Sequence, residues 1–282
     1  MPALPVSLIE PLWAQFAALL PVHPDVDPTH PLGCHRRRIP DRVVFEHVSA
    51  ALVYSAGYER IASPGCSART IRHRVHAWAE AGLMPHLHAL VLAQDDRLIG
   101  LDLRHVCVDG GITKAPGGGE VAGRSPVDRG KQGRKRSLLT DAAGVPLSVV
   151  AAGANCPDSR LLGETLTGLR TLGPLPPHLP VHLDRGYRWA SVQAVLAERG
   201  CVGVLPATGA PTAGSVGERW VVERTHSWLN DFGRLRRCPE RRATVVQLYL
   251  FLAATIIVIQ QFLRAAFHDV RWPTRSTTRR LR

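Results

Sequence analysis

The stretch Leu103-Arg104-His105-Val106-Cys107-Val108-Asp109-Gly110 reads as a short apolar strand that runs into a carboxylate. Val181-His182-Leu183-Asp184-Arg185-Gly186-Tyr187 repeats that arrangement 75 residues later. Strands interleaved with helical patterns mean α/β, and carboxylates at the ends of adjacent strands point into a shared cleft. A single Asp at a strand end is most often a turn cap. A third carboxylate changes that reading. Glu223 follows Asp184 by 39 residues, in Arg219-Trp220-Val221-Val222-Glu223-Arg224-Thr225, where 218–229 has a helical pattern that could lie across the strands.

Outward from these anchors, 137–139 and 146–151 read as strands joined by a hairpin turn at Asp141-Ala142-Ala143-Gly144. Residues 161–172 and 189–199 read as helices and 201–205 as a strand. Residues 115–134 are rich in Gly, Pro and Arg, have no apolar period and read as a flexible loop. Upstream the chain is helical, with helices over 7–20, 41–54, 58–62 and 68–81. Ser67 caps the last and Gly82 ends it. A helix, a tight turn at Ser63-Pro64-Gly65 and a helix bearing Arg69, Arg72 and Arg74 suggest a helix-turn-helix that contacts DNA; the plainer alternative is a helical hairpin with a solvated basic face. The expected organisation is a helical DNA-binding region over 1–95, a sheet-containing domain over 101–265, and a basic, disordered tail over 266–282. The apolar run 245–263 carries Gln247, Gln260 and Gln261, and is read as a buried core helix rather than a membrane span.

The formal net charge of +12 points to a polyanionic partner. The charge is uneven. Residues 1–100 hold nine basic and nine acidic residues, whereas 123–137 hold six and one and 219–242 hold seven and three. The excess therefore brackets the carboxylates, where a polyanion would need holding, since an acidic site alone repels phosphate. Candidate DNA contacts are Arg69, Arg72 and Arg74, then Arg124, Lys131, Arg134, Lys135 and Arg136, then Arg219, Arg234, Arg236 and Arg237. Six cysteines without a C-x-x-C pair argue against a zinc site or a disulfide framework, and the N-terminal residues lack a signal-peptide pattern, so a cytoplasmic, nucleoid-associated protein is expected. Trp220 and Trp228 read as core. Of the histidines only His226, on the Glu223 helix face, is flagged as a partner for the site.

Asp109, Asp184 and Glu223 gathered in space make an oxygen-only site suited to Mg²⁺. Two such ions about 4 Å apart can hold the attacking and leaving oxygens of a phosphodiester. In a strongly basic chain this implies cutting and joining of DNA strands.

Residues 101 to about 263 resemble the catalytic domain of bacterial insertion-sequence DDE transposases of the insertion-sequence-5 type. The resemblance rests on Val108-Asp109-Gly110 with Lys114-Ala115, on Gly130-Lys131-Gln132-Gly133 leading to Lys135-Arg136, and on Asp141 with Gly144-Val145-Pro146-Leu147. Ala152-Gly153-Ala154-Asn155 with Asp158, Leu183-Asp184-Arg185-Gly186-Tyr187 and the Arg219–Thr225 stretch complete it, and Ile39-Pro40-Asp41-Arg42-Val43-Val44-Phe45 is similar to the family's N-terminal region. It implies an RNase H-like fold, a mixed sheet flanked by helices, after an all-helical N-terminal region. It also implies that Asp109, Asp184 and Glu223 bind two Mg²⁺ or Mn²⁺ ions, that the substrate is double-stranded DNA (terminal inverted repeats and a target), and that the chain acts as a homodimer on DNA with no membrane involved. In the family signature the glutamate follows an arginine by four positions, which selects Glu223 over Glu218. Val216 and Asn230 stand where the signature has a tyrosine and a basic residue. A drifted copy that only binds DNA, or a helix-turn-helix regulator, is the alternative.

Overall fold

The computed structural model describes residues 3–22, 38–187, 190–206 and 216–269, and the strand through Asp109 is the middle of its six-stranded sheet. β1 (Val106–Lys114) pairs on one side with β3 (Gln132–Asp141), antiparallel, with Asp109 opposite Leu138. β4 (Pro146–Gly153) continues antiparallel beyond β3, and the two-residue β2 (Gly123–Arg124) adds to its end at Gly133 and Gln132. On its other side β1 pairs with β5 (Leu179–His182), parallel, and β6 (Cys201–Val204) is parallel to β5. The order β4–β3–β1–β5–β6, antiparallel for three strands and then parallel for two, is that of an RNase H-like fold.

The chemistry of the chain explains the hairpin and the crossovers. Asp141 accepts hydrogen bonds from the backbone N–H groups of Ala143 and Val145 at 3.0 and 2.7 Å, and Gly144 takes φ +84°, so the β3–β4 turn closes as its sequence suggests. Parallel strands need crossovers. The first is the helix at Asp158–Thr165 with a 3₁₀ segment at Leu166–Thr171; the second is the helix at Ala190–Ala197.

The helical region begins with α1 (Val6–Ala17), α2 (Asp41–Val53), the single turn α3 (Tyr58–Ile61) and α4 (Ala68–Glu80). Leu8, Leu12 and Phe16 of α1 and Val44, Val48 and Leu52 of α2 are buried at helical spacing. Phe16 joins them to the rings of Phe45 and Trp78, at centroid distances of 4.7 and 4.9 Å. Ser67 caps α4, its Oγ accepting from Thr70 N–H at 3.2 Å. The next helix, α5 (Leu83–Leu98), was not expected from the sequence. Its apolar face is weakly marked, but Pro85 sits in the first turn, where no intrahelical partner for N–H is lost.

With α6 (Asp158–Thr165) and α7 (Ala190–Ala197) in the crossovers, three helices follow the sheet: α8 (Val216–Asp231), the turn α9 (Gly233–Arg236) and α10 (Ala243–Asp269). α10 is apolar on every side. Residues Ala243–Ala266 have a mean hydropathy of 2.0, long and apolar enough to cross a membrane by composition. They instead form a core: every residue from Val245 to Ile259 except Gln247 is buried, and α5, α4, β4 and α8 pack around them.

Two expectations are corrected. β1 does not stop at Asp109 but runs on to Lys114. Gly110 and Gly111 hide the strand period because neighbours leave no room for a side chain: a Cβ on Gly110 would collide with the Asp158 carboxylate, and one on Gly111 would lie 2.9 Å from His226 Nδ1. Successive residues face opposite sides of a strand, so α6 and α8 cover opposite faces of the sheet here. The other correction concerns 132–136, expected in a flexible basic loop; they are part of β3 and largely buried. The basic tail beyond 269, most of the loop over 21–40 with Cys34, and the Arg188-Trp189 pair lie outside the described residues.

Candidate active site

β1 and β5 are in parallel register at Val106–Val181 and Cys107–His182. Two residues further along each chain stand Asp109 and Asp184, so the register sets them side by side. Leu183 holds the end of β5 to β6 through its N–H to Val204 O at 3.0 Å. Past it the backbone turns, and Asp184 Oδ1 accepts the Gly186 N–H at 2.8 Å. Tyr187 then packs, fully buried, beneath the turn, its phenol pushed up first by burial and then by the charges of Asp158, Asp184 and Asp109.

The third carboxylate arrives on α8, and each neighbour of Glu223 has a task. Val222 is fully buried and Val221 nearly so, which seats the helix on the sheet. Thr225 Oγ1 donates to Gly144 O at 2.7 Å and Arg224 donates to Ala143 O at 2.5 Å, tying α8 to the β3–β4 turn. The Arg224 guanidinium lies between two indoles, 4.3 Å from Trp220 and 4.6 Å from Trp228. Trp220 is 45% exposed, so it is a clamp on that arginine rather than the core residue expected. Arg219, Glu223 and His226 recur along one face. Arg219 reaches Asp109 Oδ1 at 3.5 Å, and His226 Nε2 lies 3.3 Å from Asp109 O. Glu223 itself is exposed.

The electrostatics centre on Asp109. Burial pushes its carboxyl up to about 6; Arg219 and the Gly110 N–H oppose this, and the charges of Asp184 and Glu223 add to it. The three carboxylates thus share one field. They do not close into a cage: among the described residues no three His, Cys, Asp or Glu side chains stand ready to hold an ion. The donor chemistry nevertheless fits a hard divalent cation, since all three groups are carboxylates and the most buried has only Arg219 as countercharge. His226 is buried and pushed down to about 4, by burial first and then by Arg136, so it is a neutral imidazole holding the Asp109 backbone.

Several predicted DNA contacts are structural instead. Arg74 is buried, paired with Asp41 at 2.9 Å and donating to Ile39 O. Arg134 donates to Val121 O at 3.2 Å and Glu240 O at 3.0 Å; Lys135 pairs with Asp158 at 2.7 Å; Arg136 donates to Asn230 Oδ1 at 2.7 Å. Arg234 pairs with Glu240, donates to Ala56 O at 2.6 Å and stacks between the rings of Tyr58 and Tyr249. None of these five can reach a phosphate without leaving a buried partner. Arg219 is held by Asp109, and Arg72, though half-exposed, is paired with Glu59 at 2.6 Å. Arg69, Arg124, Lys131, Arg236 and Arg237 are exposed.

Asn230, which departs from the family signature, has a local explanation. Arg136 already places a buried cation beneath it, and the amide oxygen accepts from that cation. A lysine or arginine at 230 would set two cations together. Asp158 and Tyr187 stood in the sequence only as part of the family resemblance; their roles, like the pairing of Arg136 with Asn230, depend on contacts between distant segments.

An RNase H-like sheet thus carries one aspartate on its central strand, a second just past the end of the parallel neighbour, and a glutamate on the helix packed over β1. Residues 100–210 match the family described as the transposase DDE domain. A Burkholderia cepacia protein named as a transposase for insertion sequence element IS402 is 37% identical over 149 residues, 51% of this chain and 71% of that protein. The chain belongs to this family of bacterial insertion-sequence DDE transposases. Among solved structures, the Mos1 strand transfer complex is similar with a TM-score of 0.32 and 10% identity, over 88% of this chain and 82% of that one. The Mos1 mariner paired-end complex with Mn gives a TM-score of 0.30 and 10% identity, over 93% and 87%. Likeness this loose adds nothing to the topology described above.

Proposed function

We propose that this chain is a metal-dependent DNA transposase of the insertion-sequence-5 type. In this reading residues 1–95 recognise the terminal inverted repeats, residues 101–265 cut and rejoin DNA, and two copies act together on paired ends. The supporting observation is that parallel pairing of β1 and β5 brings Asp184, just past the end of β5, into the field of Asp109, under a helix that carries Glu223 and is anchored independently through Thr225 and Arg224. Asp109, Asp184 and Glu223 would hold the Mg²⁺ or Mn²⁺ ions. Held by these carboxylates, the ions would supply Lewis-acid chemistry at a phosphodiester, toward both the attacking and the leaving oxygen.

The chain's own residues prepare the site. The β-sheet fixes the two aspartates; Val221 and Val222 fix the register of α8; His226 holds the Asp109 backbone from above. Arg219 supplies the countercharge that Asp109 lacks, and Glu223, exposed and unpaired among the described residues, is free to swing toward the aspartates. The test is cleavage of a supercoiled plasmid bearing the element's ends, with Mg²⁺ or Mn²⁺. Wild type is expected to cut only with metal, and Asp184→Asn to lose cutting while keeping DNA affinity. Equal cutting by both would overturn the reading, and binding without cutting by wild type would support the binding-only alternative.

A further inference from the structure

A cavity of about 1400 Å³ forms an open groove between the helical region and the sheet. It is lined by Tyr58 and Arg72 of the helical region, by Lys114 and Lys131 of β1 and the loop before β3, and by Arg236 and Arg237 at the end of α9. Its walls are fixed to each other by Arg234, which donates to Ala56 O and pairs with Glu240 between two tyrosine rings. The charges in the groove are unbalanced. Glu59 is taken by Arg72 and Glu240 by Arg234, so Asp128 is the remaining lining carboxylate. Lys114, Lys131, Arg236 and Arg237 are exposed and have no ion-pair partner among the described residues. Two of these cations are held side by side by the backbone: Lys114 and Arg237 form a parallel bridge, with Cys238 N–H donating to Lys114 O at 3.1 Å.

We infer that this groove holds the phosphate backbone of a DNA end, about five nucleotides from the bond presented to the carboxylates. The inference rests on the transposase reading and places the DNA within it. A groove this large, open and positive suits an extended polyanion rather than a free phosphate. Its distance from the site follows from β1 itself. Lys114 lies five residues beyond Asp109 on one strand, or roughly 17 Å at about 3.4 Å per residue and on the opposite face, and the phosphates of a duplex rise ~3.4 Å per base pair along its axis. Asn230, which lines the groove, stands on the same helix as Glu223, so α8 leads from the groove to the carboxylates. The unpaired cations come from β1, the loop before β3 and α9, while the helical region closes the groove with Tyr58 and the Arg72–Glu59 pair.

The test uses the full chain, a fluorescein-labelled 30-base-pair duplex of arbitrary sequence, EDTA, and anisotropy from 50 to 200 mM KCl. Lys114→Ala/Arg236→Ala/Arg237→Ala is expected to reduce the salt slope by up to about 2.7 and affinity at 100 mM by at least ~30-fold. Arg97→Ala/Arg160→Ala/Arg170→Ala removes as many exposed cations elsewhere, and is expected to change affinity less than about 3-fold. Lys114→Arg/Arg236→Lys/Arg237→Lys is expected to bind as wild type, which separates lost charge from lost folding. Equal weakening by both alanine triples would overturn the groove assignment while leaving DNA binding intact. No binding by wild type at 50 mM KCl would overturn the DNA reading itself.

Discussion

Arg134-Lys135-Arg136 and Arg234 to Arg237 have similar compositions and opposite fates. The first run lies in the middle of a sheet, 1%, 7% and 1% exposed, each cation tied to a partner from elsewhere in the chain. The second divides: Arg234 is buried among Glu240, Tyr58 and Tyr249, while Arg236 and Arg237 face the groove without an ion-pair partner among the described residues. A basic run therefore says how much charge a chain carries but not where it can be spent. What decides is whether distant segments bring acceptors to it, since a buried cation is tolerated only when its donors are met.

The sharpest way to break this comparison is to truncate one arginine from each run. Arg134→Ala leaves two carbonyls unpaired in the interior and is expected to cost about 3 kcal/mol, roughly 10 °C in Tm, with no direct effect on a surface contact. Arg236→Ala is expected to leave Tm unchanged within about 2 °C and to weaken DNA binding. Thermal melts and anisotropy on both variants would show the reverse pattern if the buried run were the DNA contact.

Asn230→Lys, which restores the family-like cation, sharpens the comparison next. It sets an ammonium against buried Arg136 and is expected to destabilise by about 1–3 kcal/mol in urea unfolding. Combining it with Arg136→Met should recover much of the loss. A lysine that raised stability with Arg136 intact would show that Asn230 is damage rather than accommodation.

Buried titratable groups extend the contrast to pH. His88 of α5 is pushed down to about 4 by burial, so the folded chain keeps it neutral. Its unfolded form binds a proton below the ordinary histidine pKa of about 6.5, and stability falls as pH drops from 6.5 toward 4. Asp141, at the sheet hairpin, is pushed up to about 6, chiefly by burial. The folded state then holds the extra proton, and this group adds stability as pH drops from 6 toward the ordinary aspartate value. Wild type minus His88→Gln, measured by urea unfolding at pH 7 and 4.5, is expected to shift by about 2 kcal/mol against wild type at the lower pH. No shift would place the imidazole in contact with water. The smallest effect is expected for Arg224→Ala, about 1 kcal/mol in the same assay, from the lost indole sandwich.

The sequence carried those parts of the fold in which each segment announces itself. The strands into Asp109 and Asp184, the Asp141–Gly144 turn, the Ser67 cap and the apolar run of α10 all lie where local chemistry placed them. It concealed the parts that depend on distant partners. β3 extends through three cations because Val121, Asp158, Asn230 and Glu240 receive them. β1 extends past Asp109 through two glycines whose missing side chains make room for α6 and α8. At the site the two aspartates could be paired from strand pattern alone. The roles of Arg219 and His226 over Asp109 required the fold.

Asp109, Asp184 and Glu223 are proposed to form one metal site. Titration of Mn²⁺ followed by electron paramagnetic resonance tests it without DNA, ends or turnover. Wild type is expected to bind Mn²⁺ saturably, and binding is expected to weaken at least about 10-fold in each of Asp109→Asn, Asp184→Asn and Glu223→Gln. Binding that is the same in all four proteins would contradict it.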